Sequence, residues 1–541
     1  MSAMPFSCAR TALLLFVTGI LLYALPAARH DLWNPDEPRN GEIAREMAAT
    51  QDWFIPKLNG KPFLEEPPLQ HWLVVTVGGG RVSAWAARMP AAVSASLALA
   101  ITFLLGAWLF SRWVGLAAAL FLSTAFEFWW LAGRAQVDLL LTASVLLAVS
   151  GFAASERFPE RRAAGLVVFY LASAVGFLAK GLLGPGLPGL AVVTYLLWEK
   201  GSLRGHRTHL VVGSLFLLAV ILGWAAILSS HGGTGSLSEY FVQQHLRRFI
   251  GGQDHQAPFW YYLPVFPLVF LPWTLLAPAA IVGLRGAFGR EKKDARWLRL
   301  LAGWFLSGFL VFSAASTKRE TYLVPILPAA ALLFAAGLER AWDRFPVRRF
   351  LREREITFGV AGAILAGGVA VIPIVWGVFR WKPDVIAIAS LLTAAAVLAR
   401  GFRPSRWRVG TAFPLALPAL VAMGFWAVSM AAFPAVDVRK SARPLTDAIR
   451  RAAAPQGRVS FYRASEGMVG AYTFYLGCLI PNLYRAEEIR RTLASPGRVL
   501  FILNAKDLQG LARAGGVAFS TVAEERVGHR RILVVEASRP R

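Results

Sequence analysis

"TALLLFVTGILLYALPAA", Thr11 to Ala28, is followed after a five-residue link by "NPDEPRNGE", Asn34 to Glu42. The first run is apolar and long enough to cross the hydrocarbon core of a bilayer, about 30 Å, as a helix. The second crowds four ionisable residues, Asp36, Glu37, Arg39 and Glu42, at the point where the chain would leave the membrane. Such charges have a plain role, marking the water boundary and starting a helix. They also have a chemical one, and the rest of the chain decides between them.

Apolar residues make up 56% of the 541 and charged residues only 16%, against about 25% charged in ordinary soluble domains. Mean hydropathy is +0.50. Apolar blocks of spanning length recur, so the expected fold class is a polytopic α-helical membrane protein. The first block lacks a small-residue cleavage site, and it is read as a retained span rather than a signal peptide.

The net charge of +25 invites a nucleic-acid reading, but its distribution excludes one. Arginines cluster in short loops: "SERFPERRAA", "EKGSLRGHRTH", "RGAFGREKKDARWLR", "ERAWDRFPVRRFLRERE" and "RGFRPSRWRV". Short basic loops face the cytoplasm, and some of this charge attracts anionic membrane lipid. Thirteen spans put every such loop inside. They fall near 11–28, 84–110, 114–131, 138–155, 163–180, 184–198, 208–228, 263–284, 297–315, 322–339, 356–378, 384–400 and 410–432. A membrane part over 1–436 then has outer loops at 29–83 and 229–262, and 437–541 lies outside as a second domain. Cys8 and Cys478 fall in different regions, so neither a disulfide nor a cysteine metal site is expected. No internal repeat or low-complexity segment is visible.

The tail changes character. "GRVSFYRA", "GRVLFILNA" and "RRILVVEA" are β-branched and aromatic runs bounded by turn residues, and "RAEEIRRTLASPG" between the first two reads as a helix. This pattern predicts a small α/β domain. In the first outer loop, Pro38 suits the first turn of a helix capped by Asp36 or Glu37. Ile43, Ala44, Met47 and Ala48 then form one stripe, which predicts an amphipathic helix on the membrane surface. "PPLQHWLVVTVGG" predicts a second interfacial helix.

Charges gather at four places on the outer side: Asp36 to Glu42; Lys61, Glu65 and Glu66; Arg134 and Asp138; and His245, Arg247 and Arg248 with Lys180, Lys318, Arg319 and Tyr322 at nearby span ends. Carboxylates and cations at one membrane face suit a lipid-linked phosphate substrate. Cations stabilise the departing phosphate, and a carboxylate takes the proton of the incoming hydroxyl. Read singly, each has a bland role. Asp36 can cap a helix, Asp138 can complement a helix dipole, Lys180 can snorkel, His245 can sit on the surface, and Arg247 and Arg248 can bind headgroups.

"DLWNPDEPRNGEIAREMAATQDWFIPKLNGKPFLEEPPLQHWL" resembles the first outer loop of integral-membrane GT-C glycosyltransferases, of the protein-mannosyltransferase and lipid A aminoarabinose transferase type. "WAARMPAAVSASLALAITFLLG", "FLAKGLLGPGLPGL", "PFWYYLPV" and "STKRETYLVPILPAAALL" extend the resemblance over residues 10–340. It implies an enzyme that takes a sugar from a polyprenyl-phosphate carrier at the periplasmic face of a bacterial inner membrane, with inversion. Lipid A or a related envelope glycolipid is the implied acceptor of an aminoarabinose-type transfer, and the runner-up within the class is a mannose-type transfer to protein or another polysaccharide. Asp36 matches the catalytic acidic residue and Asp138 a second acidic position. Glu65 and His245 match a metal-binding pair, and Lys180 and Tyr322 line the carrier-phosphate site. Arg39, Lys61, Arg247 and Arg248 are further candidates for substrate contact. Relatives often carry lysine where this chain has Glu66, and a divalent ion on Glu65 and His245, zinc favoured, would supply the missing positive charge. The rival from another class is a transporter or flippase, which would hold its charges at mid-membrane depth in broken spans.

Overall fold

The computed structural model describes residues 6–199, 207–251, 255–289, 294–342, 409–453, 457–494, 497–527 and 530–538. The spans expected at 356–378 and 384–400 lie outside these residues.

Seven described helices are long and apolar enough to cross a membrane, or up to ten if each bent pair is one span. Those used below are α1 (Phe6–Ala27), α4 (Ala84–Leu109), α7 (Asp138–Arg157), α8 (Arg162–Lys180), α9 (Leu183–Glu199), α10 (Arg207–His231), α14 (Ala295–Ala314) and α15 (Leu327–Trp342). Glycines face one another where helices cross: a Cβ on Gly151 would lie 2.7 Å from the Gly165 carbonyl oxygen, and one on Gly176 2.9 Å from the Gly184 Cα. Small residues there let α7 meet α8, and α8 meet α9, backbone to backbone, which is how helices gain packing inside lipid.

Two of the expected spans, 114–131 and 263–284, are broken. The chain bends by 67° between α5 (Arg112–Ser123) and α6 (Phe126–Ala132). It bends by 95° between a helix at Tyr262–Val269, α12 after the single turn α11 (Arg248–Gly251), and α13 (Ala277–Leu284). The two breaks satisfy each other. Phe126 N–H donates to the Leu271 carbonyl at 2.9 Å, and the Trp273 indole donates to Thr124 Oγ1 at 3.0 Å. Backbone groups freed from a helix at membrane depth need such partners. The span expected at 410–432 is α16 (Val409–Ala431), bent by 48° onto α17 (Phe433–Lys440).

The tail folds as a five-stranded sheet in the order β4-β3-β5-β7-β6. Its strands are β3 (Arg458–Tyr462), β4 (Asn482–Leu483), β5 (Val499–Asn504), β6 (Ala518–Val527) and β7 (Arg530–Ser538). β3 runs parallel to β4 and β5, and β7 runs antiparallel to β5 and β6. The helices are α18 (Arg443–Ala453), α19 (Glu466–Leu476), α20 (Ala486–Ala494) and α21 (Leu508–Gly515). The fold is thus a polytopic helical membrane protein with a small α/β unit at its C-terminal end.

The segment expected as the first outer loop, 29–83, differs from its expectation. It holds α2 (Asp36–Thr50), a hairpin of β1 (Lys57–Leu58) and β2 (Lys61–Pro62), and α3 (Leu69–Val77). α2 does not lie open on a membrane surface. Glu37, Asn40, Glu42 and Glu46 are buried along with the apolar stripe, because α19 covers the second face. Leu32, Ile43, Phe63, Val74, Phe461, Met468 and Tyr472 share one core. The helix also starts without a side-chain cap: Pro35 holds the cap position, and Asp36 and Glu37 lie within the first turn.

Candidate active site

The paired carboxylates at the start of α2 divide their labour. Glu37 points inward. Arg88, five residues into α4, donates from Nε to Oε1 at 2.7 Å and from Nη2 to Oε2 at 2.9 Å. Arg134 adds Nη1 to Oε2 at 3.2 Å, and the backbone N–H groups of Trp33 and Ala135 donate at 2.9 and 3.0 Å. Burial alone would raise the Glu37 carboxyl. The two guanidiniums outweigh it and hold the group well below the usual carboxylate range. Arg134, expected among the site charges, lies 3.9 Å from the ring centroids of both Trp33 and Trp130 and belongs to this frame. Glu42 is likewise internal, bridged by Arg45 at 2.6 and 2.8 Å.

Asp36 faces the other way and keeps 15% of its side chain exposed. Arg39 Nη2 reaches Oδ1 at 3.1 Å, Arg319 Nη2 reaches Oδ2 at 3.0 Å, and the Gln136 amide lies 3.4 Å from Oδ2. Asp138 and Tyr322 are near enough to act on the Arg319 charge. Arg319 therefore joins the Asp36 cluster to a second one.

That second cluster follows from helix geometry. α7 and α8 pack antiparallel, so the first residue of one, Asp138, lies beside the last residue of the other, Lys180. Lys180 Nζ is 2.6 Å from Asp138 Oδ1 and 4.0 Å from Glu66 Oε1, and it sits 5.5 Å over the Tyr322 ring. A cation at a helix C-terminus and an anion at an N-terminus both complement their helix dipoles. Burial pushes the Glu66 carboxyl up to about 7, with Lys180 opposing and Asp138 reinforcing the rise. Two carboxylates thus share one lysine.

His245 lies at the end of a π-helical segment, Ser238–Arg247. Its Nδ1 faces the Tyr240 carbonyl oxygen at 2.8 Å. A carbonyl only accepts, so the proton is on Nδ1 and Nε2 carries the lone pair. Leu182 N–H approaches it at 3.5 Å. Gly181, at φ +63°, makes the room: a Cβ there would collide with His245 Nε2 and Tyr240 Oη.

The remaining candidates lie elsewhere. Lys61 is exposed on β2, and Arg247 is exposed at the end of the π-helical segment. Arg248 opens α11, and its side chain is outside the described residues. Glu65 is half-buried beside Glu66. Among the described residues no three His, Cys, Asp or Glu side chains gather to hold a metal ion. An ion on Glu65 and His245 would therefore need phosphate and water to complete its shell.

Gln136 and Arg88 are the residues that sequence reading missed, while Arg319 and Glu66 stood among the outer charges without a site role. Arg88 carried a signal, since a charged residue in a stretch read as a span always needs a partner. Asp36, Asp138, Lys180 and Arg319 each stand at or beside a helix end rather than in mid-helix. None of the four lies in the middle of a long apolar helix, although broken helices are present.

With this geometry in view, comparison places the chain. A protein from Sodalis glossinidius named undecaprenyl phosphate-alpha-4-amino-4-deoxy-L-arabinose arabinosyl transferase 1 is 30% identical over 430 residues, 75% of this chain and 74% of its own length. The chain belongs to this arabinosyl transferase family. Relatives of the same name from Pseudomonas fluorescens and Edwardsiella ictaluri are 31% and 30% identical over 65% and 60% of the chain. The matches span 61% and 59% of those two relatives' lengths. A family model described as dolichyl-phosphate-mannose-protein mannosyltransferase matches residues 65–224. Among solved structures, ArnT from Cupriavidus metallidurans bound to undecaprenyl phosphate superposes with a TM-score of 0.73 at 20% identity, covering 97% of both chains. The Archaeoglobus fulgidus oligosaccharyltransferase in its apo form gives 0.52 at 12% identity, over 93% of this chain and 71% of its own. At these identities the two structures show the fold of the chain and nothing finer.

Proposed function

We propose that the protein transfers an aminoarabinose-type sugar from undecaprenyl phosphate to lipid A, in a bacterial inner membrane with the site facing the periplasm. One observation carries this reading: Asp36 is held by Arg39 and Arg319 beside a second cluster in which Lys180 meets Asp138. The family relatives, named for an undecaprenyl phosphate donor, supply the sugar and the carrier.

Lys180 and Arg319 stabilise the carrier phosphate as it departs, where the low dielectric strengthens attraction. Asp36 faces the incoming group. If that group is a hydroxyl, Asp36 takes its proton as the C–O bond forms at the anomeric carbon. If it is a phosphate oxygen, already anionic, Asp36 orients it through Arg39. A divalent ion held by Glu65 and His245 would add positive charge to the leaving-group side. Resident zinc sites take three or four protein ligands, so such an ion would come with the phosphate.

The test is direct. Purified wild-type protein, given the undecaprenyl-phosphate-linked sugar and lipid A, should yield lipid A heavier by one aminopentose in mass spectrometry. The mannosyltransferase model over 65–224 favours a second reading, transfer to a protein. A glycopeptide product with lipid A unmodified would establish that reading instead.

A further inference from the structure

Between the β1–β2 hairpin and the C-terminal α/β unit lies a cleft of about 530 Å³. Its walls are clasped together. Asn59 Nδ2 donates to the Ile480 carbonyl at 2.8 Å, and Ile480 N–H donates back to Asn59 Oδ1 at 2.9 Å. Phe63, Leu479 and Tyr484 give the lining apolar surface, while Lys61, Asn482 and Glu466 give it charge and amide groups. Leu479 and Tyr484 stand about half exposed at the rim, ready to be covered.

Arg39 stands at the seam between this cleft and Asp36. Its guanidinium reaches Asp36 at 3.1 Å, reaches Glu466 at 3.6 Å and lies 5.3 Å from the Phe63 ring centroid. Glu466 and Phe63 both line the cleft, so the cleft opens one guanidinium away from the proposed base. Arg319, on the other carboxylate oxygen, leads to Lys180 and Asp138. Asp36 therefore has two separate approaches, and the carrier phosphate needs only the one with Lys180.

We infer that the cleft binds the phosphorylated saccharide head of the acceptor and delivers it to Asp36. This rests on the transfer reading above and adds the place of the acceptor. Its volume falls within the range of about 300–1,000 Å³ for small-molecule sites. Its chemistry fits a sugar phosphate: rings pack on Tyr484 and Phe63, hydroxyl edges meet Glu466 and Asn482, and Lys61 meets the anion.

Nature supplies a probe. Cys478 is exposed next to Leu479, and Cys8 is buried, so a bulky maleimide will label the cleft rim of the folded full-length protein. The labelled protein and a Leu479→Ala/Tyr484→Ala variant are compared with wild type for binding of lipid A micelles, binding of undecaprenyl phosphate, and transfer. The expected result is a KM for lipid A raised about tenfold or more with kcat little changed, and undecaprenyl phosphate binding intact. If lipid A binding and KM are unmoved in both proteins, the cleft is not the acceptor site, even where transfer to lipid A is confirmed. If wild type binds lipid A and the label blocks that binding but no sugar is transferred, the cleft assignment stands and the transfer reading falls. Absence of lipid A binding in wild type overturns the inference outright.

Discussion

Arg88 grips Glu37 with two parallel N–H···O bonds, 2.7 and 2.9 Å long, and neither side chain is more than 3% exposed. The same guanidinium donates to the backbone carbonyls of Ala27, His30 and Asp31. One arginine thus ties the end of α1, the link after it and the start of α2 to α4. The geometry of Asp36, the residue preceding Glu37, is inherited from this knot.

Breaking it should be costly. Arg88→Met removes one partner of a buried pair and leaves Glu37 charged with less compensation, a change that typically costs about 3–5 kcal/mol. Thermal unfolding of the purified variant should show a large drop in Tm or no folded protein at all. A Tm near that of wild type would mean that Arg134 alone suffices.

Asp36→Asn keeps the shape but removes the charge that faces Arg39 and Arg319. Turnover should fall by about 100-fold or more if the carboxylate is the general base. Binding of undecaprenyl phosphate, measured separately, should persist. Near-normal turnover would reduce Asp36 to a residue that orders two arginines.

How much of this was legible beforehand differs by residue. Spans showed because long apolar runs have few other readings, and β3, β5 and β7 showed because their cores are β-branched and aromatic. β6, "AFSTVAEERV", did not, since it lies at the sheet edge and mixes polar with apolar residues. The breaks near 124 and 271 were hidden because each is stabilised by the other, far away in sequence. Asp36 was visible as a carboxylate at a membrane border. That its neighbour Glu37 is structural was not, because its decisive partner is 51 residues distant inside an apolar stretch.

Glu66 makes the site sensitive to pH. Its carboxyl, raised by burial from 4.5 to about 7, is neutral in the folded protein at mildly acidic pH. Between those two values the folded state holds a proton that the unfolded state has lost, so this group's contribution to stability falls as pH rises through the window. Above 7, Lys180 faces two anions, and an incoming phosphate is less welcome. Binding of undecaprenyl phosphate to wild type should weaken as pH rises past about 7. Glu66→Gln should bind with little change over the same range, and an unchanged slope in that variant would assign the effect elsewhere.

The proposed ion on Glu65 and His245 has its own readout. Elemental analysis of protein purified with and without undecaprenyl phosphate should find metal chiefly in the loaded sample, since the described residues bring together too few ligands by themselves. Glu65→Ala and His245→Ala should lower that content. No metal in either wild-type sample, with turnover untouched by chelators, would leave Lys180 and Arg319 to stabilise the phosphate alone.

The last prediction concerns a residue with no chemistry of its own. Gly467 and Gly470, three apart on α19, lie against the start of α2: a Cβ on Gly467 would be 2.6 Å from Pro35 Cβ, and one on Gly470 2.6 Å from Arg39 Cα. The C-terminal unit thus presses directly on the turn that carries Asp36. Gly470→Ala cannot be absorbed by a rotating side chain, because the atom it meets is backbone. Helix α19 or the first turn of α2 must move by some tenths of an ångström, an overpacking that costs about 1–3 kcal/mol. Displacing Asp36 and Arg39 by as little as about 1 Å can lower turnover by about 100-fold, since catalysis depends on near-attack geometry. The expected signature is a folded protein with reduced kcat, intact undecaprenyl phosphate binding and modestly lower Tm. Wild-type kcat in Gly470→Ala would show that the α/β unit covers the site without positioning it.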